Sequence, residues 1–560
     1  MPGEITVVEK FTKLLKQYGV DTVFGIVGIP IVTLANEFIN QGIKFISCRN
    51  EQAASYAASA YGYLTNRPGV LLVVGGPGLI HALPGMYNST YNKWPLVVIA
   101  GSNDNGNEQY KGAFQELDQI SLLGNYVKFK GKLTGENMEN VVFNAFNHAI
   151  QGTFGVTYID FPGILIESNS LLEGKSNWDD EVTIDKIKSS PDQTTVSKIS
   201  RLIVDAKSQD KKVLVVIGKG SVYYSSEVRT FIDKFNLPFL PTPMAKGVVP
   251  DNHMCNVSSA RSFALANADI ILVFGARLNW ILHYAESPKW KTSAIFIQCD
   301  NDPETLGHNN MNHVNLSLLG DLDLTITSIT EELVKKYPDY KHNTPSKELI
   351  SKIESNRSKL QELEKPKDET AELNYNTVYG KISPLIDDES TMLIFEGANT
   401  MDKARISFST SFPLRRLDAG TNGTMGVGLG YLMASRLANP NLDNILIQGD
   451  SAFGFSGMEI ETLCRFKLGS VIIIMNNSGI YHGNDVNSAT KLGEKTRYDL
   501  LAQGLGAKGY YVTTLEELES SFKQAVRDSR ENNIVSVLNV IIEHGKAKQV
   551  GFAWQNKPKK

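Results

Sequence analysis

Several runs in this chain are almost continuously apolar and then stop on glycine, aspartate or asparagine. Val70 to Val74 closes on Gly75-Gly76-Pro77-Gly78, Val213 to Ile217 on Gly218-Lys219-Gly220, Ala268 to Phe274 on Gly275-Ala276-Arg277, and Ala294 to Gln298 on Cys299-Asp300. Ile445 to Ile447 leads into Gly449-Asp450-Ser451, and Val471 to Met475 into Asn476-Asn477. A strand with one wet face alternates polar and apolar residues, so unbroken runs predict strands covered on both faces. Helical spacing lies between them, at Thr6 to Tyr18, Gln52 to Thr65, Thr195 to Ala206, Ser226 to Phe235 and Gly457 to Phe466. The alternation predicts an α/β fold of parallel sheets flanked by helices. At 560 residues the chain is too long for one core. Three domains are expected, at 1–165, 195–340 and 374–560. A Ser-, Asp- and Lys-rich linker at 166–194 and a charged tract at 341–373, expected to be a solvent-facing helix and linker, would separate them.

Composition removes several function classes. With 42% hydrophobic and 21% charged residues and a net charge of −4, the chain resembles an ordinary globular protein with no basic surplus for nucleic acid. Its four cysteines, Cys48, Cys255, Cys299 and Cys464, form no C-x-x-C pair, which argues against a zinc site and fits a reducing compartment. No apolar run reaches membrane-spanning length, and the start, MPGEITVVEKF, lacks the apolar region of a signal peptide.

Asp450 and Asn477 are 477 − 450 = 27 residues apart, each at the end of a predicted strand. A right-handed crossover would make those strands parallel and bring both tips to one sheet edge, where ligands bind in open α/β sheets. One carboxylate, one amide oxygen and a turn carbonyl form an incomplete Mg²⁺ cage, to be completed by water or phosphate oxygens. Ser451 and the amides after it, near a helix entrance, suit a phosphate. The alternative is a capping Asp and a turn Asn-Asn.

Glu51 follows the predicted strand Phe45 to Cys48 and opens the apolar stretch AASYAASAYGYL, where a carboxylate would be desolvated; a first-turn acid complementing the helix dipole is the other reading. Gly112 to Glu116 forms a polar loop, suited to substrate contact or plain surface. In the central domain, Gly-rich turns and an acid after a strand form a nucleotide-domain pattern, although neither G-x-x-x-x-G-K-[ST] nor G-x-G-x-x-G is present. The third domain carries EGANT at 396–400 and AGTNGTMGVGLG at 419–430. So many glycines allow close backbone approach to a ligand, while tight helix packing alone would account for Gly426, Gly428 and Gly430.

These motifs resemble those of the thiamine diphosphate enzymes. GDSAFGFSGME followed by NNSGIY is similar to the family's diphosphate motif, which implies Mg²⁺ held by Asp450, Asn477 and the carbonyl of Gly479. NEQAASYAASAYGYLTNRPGV resembles the segment with the glutamate that activates the aminopyrimidine, which implies that role for Glu51. By the same resemblance Gly423 and Met425 meet the ring, Met425 as the apolar wedge, and Asn399, Thr400, Gly449 and Ser451 join the cofactor site. Two positions depart from the pattern: Ser451 stands where many members have glycine, and Asn422 where relatives tend to be aromatic.

Within the family, IGKG, PMAKGVVPD, ARS, GARLNW and ESPKW resemble the central domain of 2-hydroxyacyl-CoA lyases and oxalyl-CoA decarboxylases, whereas acetolactate synthases hold FAD there. The resemblance implies an adenosine phosphate, from ADP or acyl-CoA, with Lys219 and Arg277 facing phosphate and Asp300 facing ribose. Phe114-Gln115-Glu116 and the tail Gly551-Phe552-Ala553-Trp554 are similar to the lyases, Asp118-Gln119 to the decarboxylases. The expectation is cleavage of a 2-hydroxyacyl-CoA between C1 and C2 to formyl-CoA and an aldehyde one carbon shorter, with Gln115 and Tyr481 handling the hydroxyl and carbonyl groups. Oxalyl-CoA decarboxylation and a non-catalytic cofactor-binding relative are the alternatives; a nicotinamide dehydrogenase lacks its fingerprint. The resemblance further implies an acyl-CoA partner, a homodimer or homotetramer with shared active sites, and peroxisomal residence. The terminal Pro558-Lys559-Lys560 is an atypical peroxisomal address, and the cytoplasm is the alternative.

Overall fold

The computed structural model describes residues 4–103, 111–124, 126–167, 171–173, 180–342, 345–368, 371–481 and 489–545. Three parallel sheets carry the described chain. The first has six strands in the spatial order Lys44–Ser47, Thr22–Gly25, Gly69–Val73, Leu96–Ser102, Val156–Pro162 and Phe129–Lys132. The second has five: Phe239–Pro241, Val213–Ile217, Ile270–Phe274, Ile295–Asp300 and Leu318–Leu319. The third again has six: Arg416–Leu417, Thr391–Glu396, Asp443–Gly449, Ser470–Asn476, Val535–Ile541 and Lys508–Val512. Numbered within each sheet by position in the chain, the first and third sheets share the order 2-1-3-4-6-5.

The continuous apolar runs are the central strands. Val213–Ile217, Ile270–Phe274 and Ser470–Asn476 are buried at every position, because helices cover both faces of each sheet. The crossover predicted around Asp450 is present: Asp443–Gly449 and Ser470–Asn476 pair in parallel, with Gly449 opposite Met475. Both polar tips therefore emerge at one edge. The helix expected over Gly457 to Phe466 is present as Glu459–Arg465, and a further short helix, Asp450–Phe453, forms in the turn before it.

One helix joins the first and third sheets. Asn50 caps Glu51–Thr65, its Oδ1 accepting from Gln52 N at 2.7 Å, and Asn66 ends the helix in the left-handed region at φ 54°. Eleven of its residues are buried, many of them alanine or serine, so a second helix approaches closely. That neighbour is Gly428–Ala438 of the third sheet: a Cβ on Gly430 would stand 2.7 Å from the Ala53 carbonyl oxygen.

Two sequence expectations need correction. The linker at 166–194 contains the strand Leu171–Glu173, which pairs antiparallel with Glu4–Thr6. Three residues are too few for a periodicity signal. The charged tract forms the helix Lys347–Glu364, which does not merely face solvent: Ile353 is buried in the central domain's core, and Asn356 Nδ2 donates to Ser259 O at 2.7 Å. Among the described residues no helix is long and apolar enough to cross a membrane.

Candidate functional site

The carboxyl edge of the third sheet gathers the residues expected around a diphosphate and a metal. Asp450 is 2% exposed; its Oδ1 accepts from Ser451 N at 2.8 Å and its Oδ2 from Gly479 N at 3.0 Å. Burial pushes this carboxyl up to about 6, because the charge has left water. Asn477 Nδ2 donates to Tyr481 O at 2.7 Å, and Asn399 Nδ2 to the same oxygen at 3.1 Å. Both amides are thereby oriented by one carbonyl, and the Asn477 side-chain oxygen sits on the opposite branch of its amide. Thr400 is buried, with Oγ1 3.6 Å from where a Gly449 Cβ would stand. Asn399, Thr400, Gly449, Asp450, Ser451, Asn477, Gly479 and Tyr481 thus form one cluster.

This donor set fits a divalent cation that brings a phosphorylated ligand with it. Among the described residues no group of three or more His, Cys, Asp and Glu converges. A single desolvated carboxylate with an amide and a backbone carbonyl leaves coordination positions for phosphate oxygens. A cation there would also compensate the buried charge of Asp450.

In the glycine-rich loop, Gly426, Gly428 and Gly430 have three different reasons. Gly426 has φ +87° and Phe455 packs where its Cβ would be. A Cβ on Gly428 would lie 2.5 Å from Glu396 Oε2, and Gly430 meets the neighbouring helix. Glu396 is fully buried: Oε1 accepts from Gly426 N and from Val427 N at 3.2 Å, Oε2 from Gly428 N at 2.8 Å. It fixes the segment just after Met425, which is half-buried, while Asn422 and Gly423 are exposed. Burial pushes the Glu396 carboxyl up to about 7, against the pull of the three N–H groups.

Glu51 and Gln115 lie in a separate group on the first sheet. Glu51 Oε2 is 3.2 Å from His81 Nδ1, and its Oε1 lies 3.6 Å from where a Cβ of Gly78 would be. Gln115, at φ 56°, places its backbone against Gly76. Gln119 explains that approach: 2% exposed, it accepts from Gly76 N at 2.9 Å and donates to Gly101 O at 3.0 Å and Tyr158 OH at 2.9 Å. Asp118 caps the next helix through Ser121 N at 3.0 Å. Asp118 and Gln119, which resemble the decarboxylases, are therefore engaged in capping and packing, and Phe114 stands 70% exposed beside them. The tail at 551–554 lies outside the described residues.

Lys219, Arg277 and Asp300 share a third place, a cavity where all three sheets meet. Lys219 Nζ donates to the Asn92 side-chain oxygen at 3.1 Å and to its carbonyl at 2.5 Å; Arg277 Nη2 donates to Tyr91 O at 2.5 Å and Thr421 Oγ1 at 3.0 Å. Both cations thus also tie the central domain to its neighbours. Trp280 Nε1 adds a bond to Thr421 O at 2.8 Å, on the glycine-rich loop. Burial lowers the Lys219 ammonium well below its ordinary value and pushes Asp300 up to about 6.

Comparison with known proteins decides the family. Residues 5–122 match the thiamine pyrophosphate enzyme N-terminal TPP binding domain, 198–329 the central domain and 396–540 the C-terminal TPP binding domain. A protein named 2-hydroxyacyl-CoA lyase from Saccharomyces cerevisiae is 55% identical over 99% of both chains. The chain is a thiamine diphosphate enzyme of the 2-hydroxyacyl-CoA lyase and oxalyl-CoA decarboxylase branch. The human protein named 2-hydroxyacyl-CoA lyase 1 is 40% identical over 96% of this chain and 95% of its own, and an oxalyl-CoA decarboxylase from Escherichia coli 34% over 97% and 96%. As a thiamine diphosphate enzyme, the chain has four of the six strands of its first sheet, Thr22–Gly25 to Leu96–Ser102, inside the N-terminal match, and most of its third sheet, from Arg416–Leu417 onward, inside the C-terminal one. The contacts of Glu396, His81 and Gln119 leave no mark in the sequence, because their partners are remote and no spacing rule marks them.

Proposed function

We propose that this enzyme cleaves 2-hydroxyacyl-CoA between C1 and C2, giving formyl-CoA and an aldehyde one carbon shorter. The observation that carries the reading is full-length similarity to proteins named 2-hydroxyacyl-CoA lyase, at higher identity than to the decarboxylases. Phe114, exposed on the Gln115 loop, suits an alkyl chain better than a second carboxylate.

Asp450, the Asn477 side-chain oxygen and the Gly479 carbonyl would hold Mg²⁺; Asn399, Thr400, Gly449 and Ser451 would hold the diphosphate, and Gly423 and Met425 the ring. Thiamine diphosphate, when bound, supplies a carbon nucleophile for the thioester and a sink for the electrons of the breaking bond. Glu51 holds a proton toward the aminopyrimidine, and Gln115 and Tyr481 handle the substrate hydroxyl and carbonyl, Gln115 by hydrogen bonds from and to its amide and Tyr481 through its hydroxyl. Lys219 and Arg277 face phosphate and Asp300 a ribose hydroxyl, from the CoA of the substrate or from ADP.

A homodimer or homotetramer completes the site in this reading. Support comes from the placing of Glu51 and Asp450 after strands of different sheets and from exposed apolar side chains close in sequence to the residues around each: Ile80 and Phe114 beside His81 and Gln115, Phe455 and Met458 in the segment after Asp450. Peroxisomal residence follows the branch resemblance, with the cytoplasm as alternative, and imaging of the tagged full-length chain separates them.

The test is incubation of the purified protein with thiamine diphosphate, Mg²⁺ and a 2-hydroxyacyl-CoA, with formyl-CoA and aldehyde read by mass spectrometry. Carbon dioxide from oxalyl-CoA without aldehyde from the hydroxyacyl substrate would favour the decarboxylase instead. Glu51→Gln is expected to abolish turnover while leaving the cofactor bound; undiminished turnover would remove Glu51 from the mechanism.

A further inference from the structure

Glu459 lies nine positions after Asp450 (459 − 450), on the helix Glu459–Arg465, and is 1% exposed. Its Oε1 accepts from Arg49 N at 2.9 Å and Asn50 N at 3.0 Å, across 410 and 409 residues of sequence. Its Oε2 accepts from Thr462 Oγ1 at 2.7 Å, which fixes the carboxylate from behind. Arg465 of the same helix donates Nη2 to Ser47 O at 2.6 Å. One short helix of the third sheet therefore grips the end of the strand Lys44–Ser47 and the two residues that precede Glu51. Asn50 is also the cap of the helix that Glu51 begins.

We infer that Glu459 is a positioning residue for Glu51, setting the direction of the acid by holding its two preceding amides. The inference rests on the reading of Glu51 as the activating acid. The physical argument is one of leverage. Arg49 is outside the helix and Asn50 is its cap, so no intrahelical bond restrains either amide. A buried carboxylate is a rigid, strong acceptor for both. Without it the cap turns about the strand end, and Glu51, the first helical residue, turns with it. Burial pushes the Glu459 carboxyl up, while the Arg49 and Asn50 amides and the Thr462 hydroxyl pull it down. The four groups form one closed arrangement linking the segment after Asp450 to the acid of the other half-site.

Glu459→Ala and Glu459→Gln in the full-length holoenzyme test this. Hydrogen–deuterium exchange of peptides covering 47–53 reads the positioning directly, without turnover. Glu459→Ala is expected to expose those amides at least tenfold faster, with the rest of the chain unchanged, and to lower kcat about ten- to hundredfold, the scale of a misplaced catalytic group. KM for thiamine diphosphate should stay within threefold. Glu459→Gln keeps one acceptor oxygen and should recover most of both losses. Faster exchange at 47–53 with unchanged kcat would overturn the inference, as would a fall in kcat with unchanged exchange there or a general loss of protection in both variants. A Glu51→Gln enzyme that remains active would instead overturn the assignment of Glu51 on which it rests.

Discussion

Replacing Gly430 with alanine places a methyl group between the helices Gly428–Ala438 and Glu51–Thr65. The new Cβ would stand 2.7 Å from Ala53 O, 3.0 Å from Tyr56 Cβ and 3.2 Å from Ala57 N. Restoring an ordinary contact of about 3.5 Å moves the helices apart by roughly 0.8 Å. Overpacking of this kind costs about 1–3 kcal/mol, and exchanging glycine for alanine within a helix returns about 1 kcal/mol. The net loss, about 0–2 kcal/mol, leaves a folded protein. Ala53 is two residues beyond Glu51, so the displacement reaches the acid almost undiminished. Misplacement of a reacting group by about 1 Å can cost 10²-fold, which sets the expected fall in kcat at about tenfold or more. Steady-state kinetics with urea unfolding of the same preparation checks both halves. A kcat within twofold of the parent refutes the reasoning, and so does a stability loss above about 4 kcal/mol, because the lesion would then be general.

Two further perturbations address the other places. Asp450→Asn removes the one carboxylate of the diphosphate cluster, and thiamine diphosphate retention in the presence of Mg²⁺ is expected to weaken roughly 100-fold or more, measured by calorimetry; unchanged retention would place the metal elsewhere. In the central cavity Asp300 is raised to about 6 by burial, against the pull of the Asp302 backbone amide and the Arg277 charge. Where Asp300 meets a ribose hydroxyl as proposed, the carboxylate is the better acceptor and the neutral acid the poorer one, so any affinity for ADP should fall as pH drops through 6, by up to about tenfold per unit. Asp300→Asn should flatten that profile, and a parent profile already flat between pH 5 and 7.5 would exclude Asp300 from the contact.

The sequence made the central strands legible because burial on both faces leaves continuous apolar runs, and Val213–Ile217 has the bounds read from it. The convergence of Asp450 and Asn477 was legible for the same reason: parallel register follows once two buried strands flank a crossover. What was hidden depends on contacts remote in sequence. Glu459 looks like an ordinary helical acid until Arg49 and Asn50 fold against it, and Glu396 looks like a strand end until the loop at 426–428 closes over it. Lys219 and Arg277 appeared as free cations beside a ligand, whereas each also holds a carbonyl of the first domain. Short antiparallel pairing at Leu171–Glu173 leaves no pattern at all, since its partner is at the opposite end of the first domain.

The shared strand order of the first and third sheets means that corresponding loops at their carboxyl edges can be compared position by position. After the second strand, one sheet presents Glu51 and the other the glycine-rich loop. After the third, one presents Gly75 to Gly78 as bare backbone and the other Asp450; after the fourth, the third sheet adds Asn477 to Tyr481. Under the proposed function the same scaffold thus appears twice with its chemistry divided, proton handling on one copy and anion holding on the other. Neither copy needs both charges in one loop, where an acid meant to hold a proton would face the cation meant to hold a phosphate. Dividing them lets burial act on each carboxylate separately, so that the environment of Glu51 can change without loosening the grip on the diphosphate.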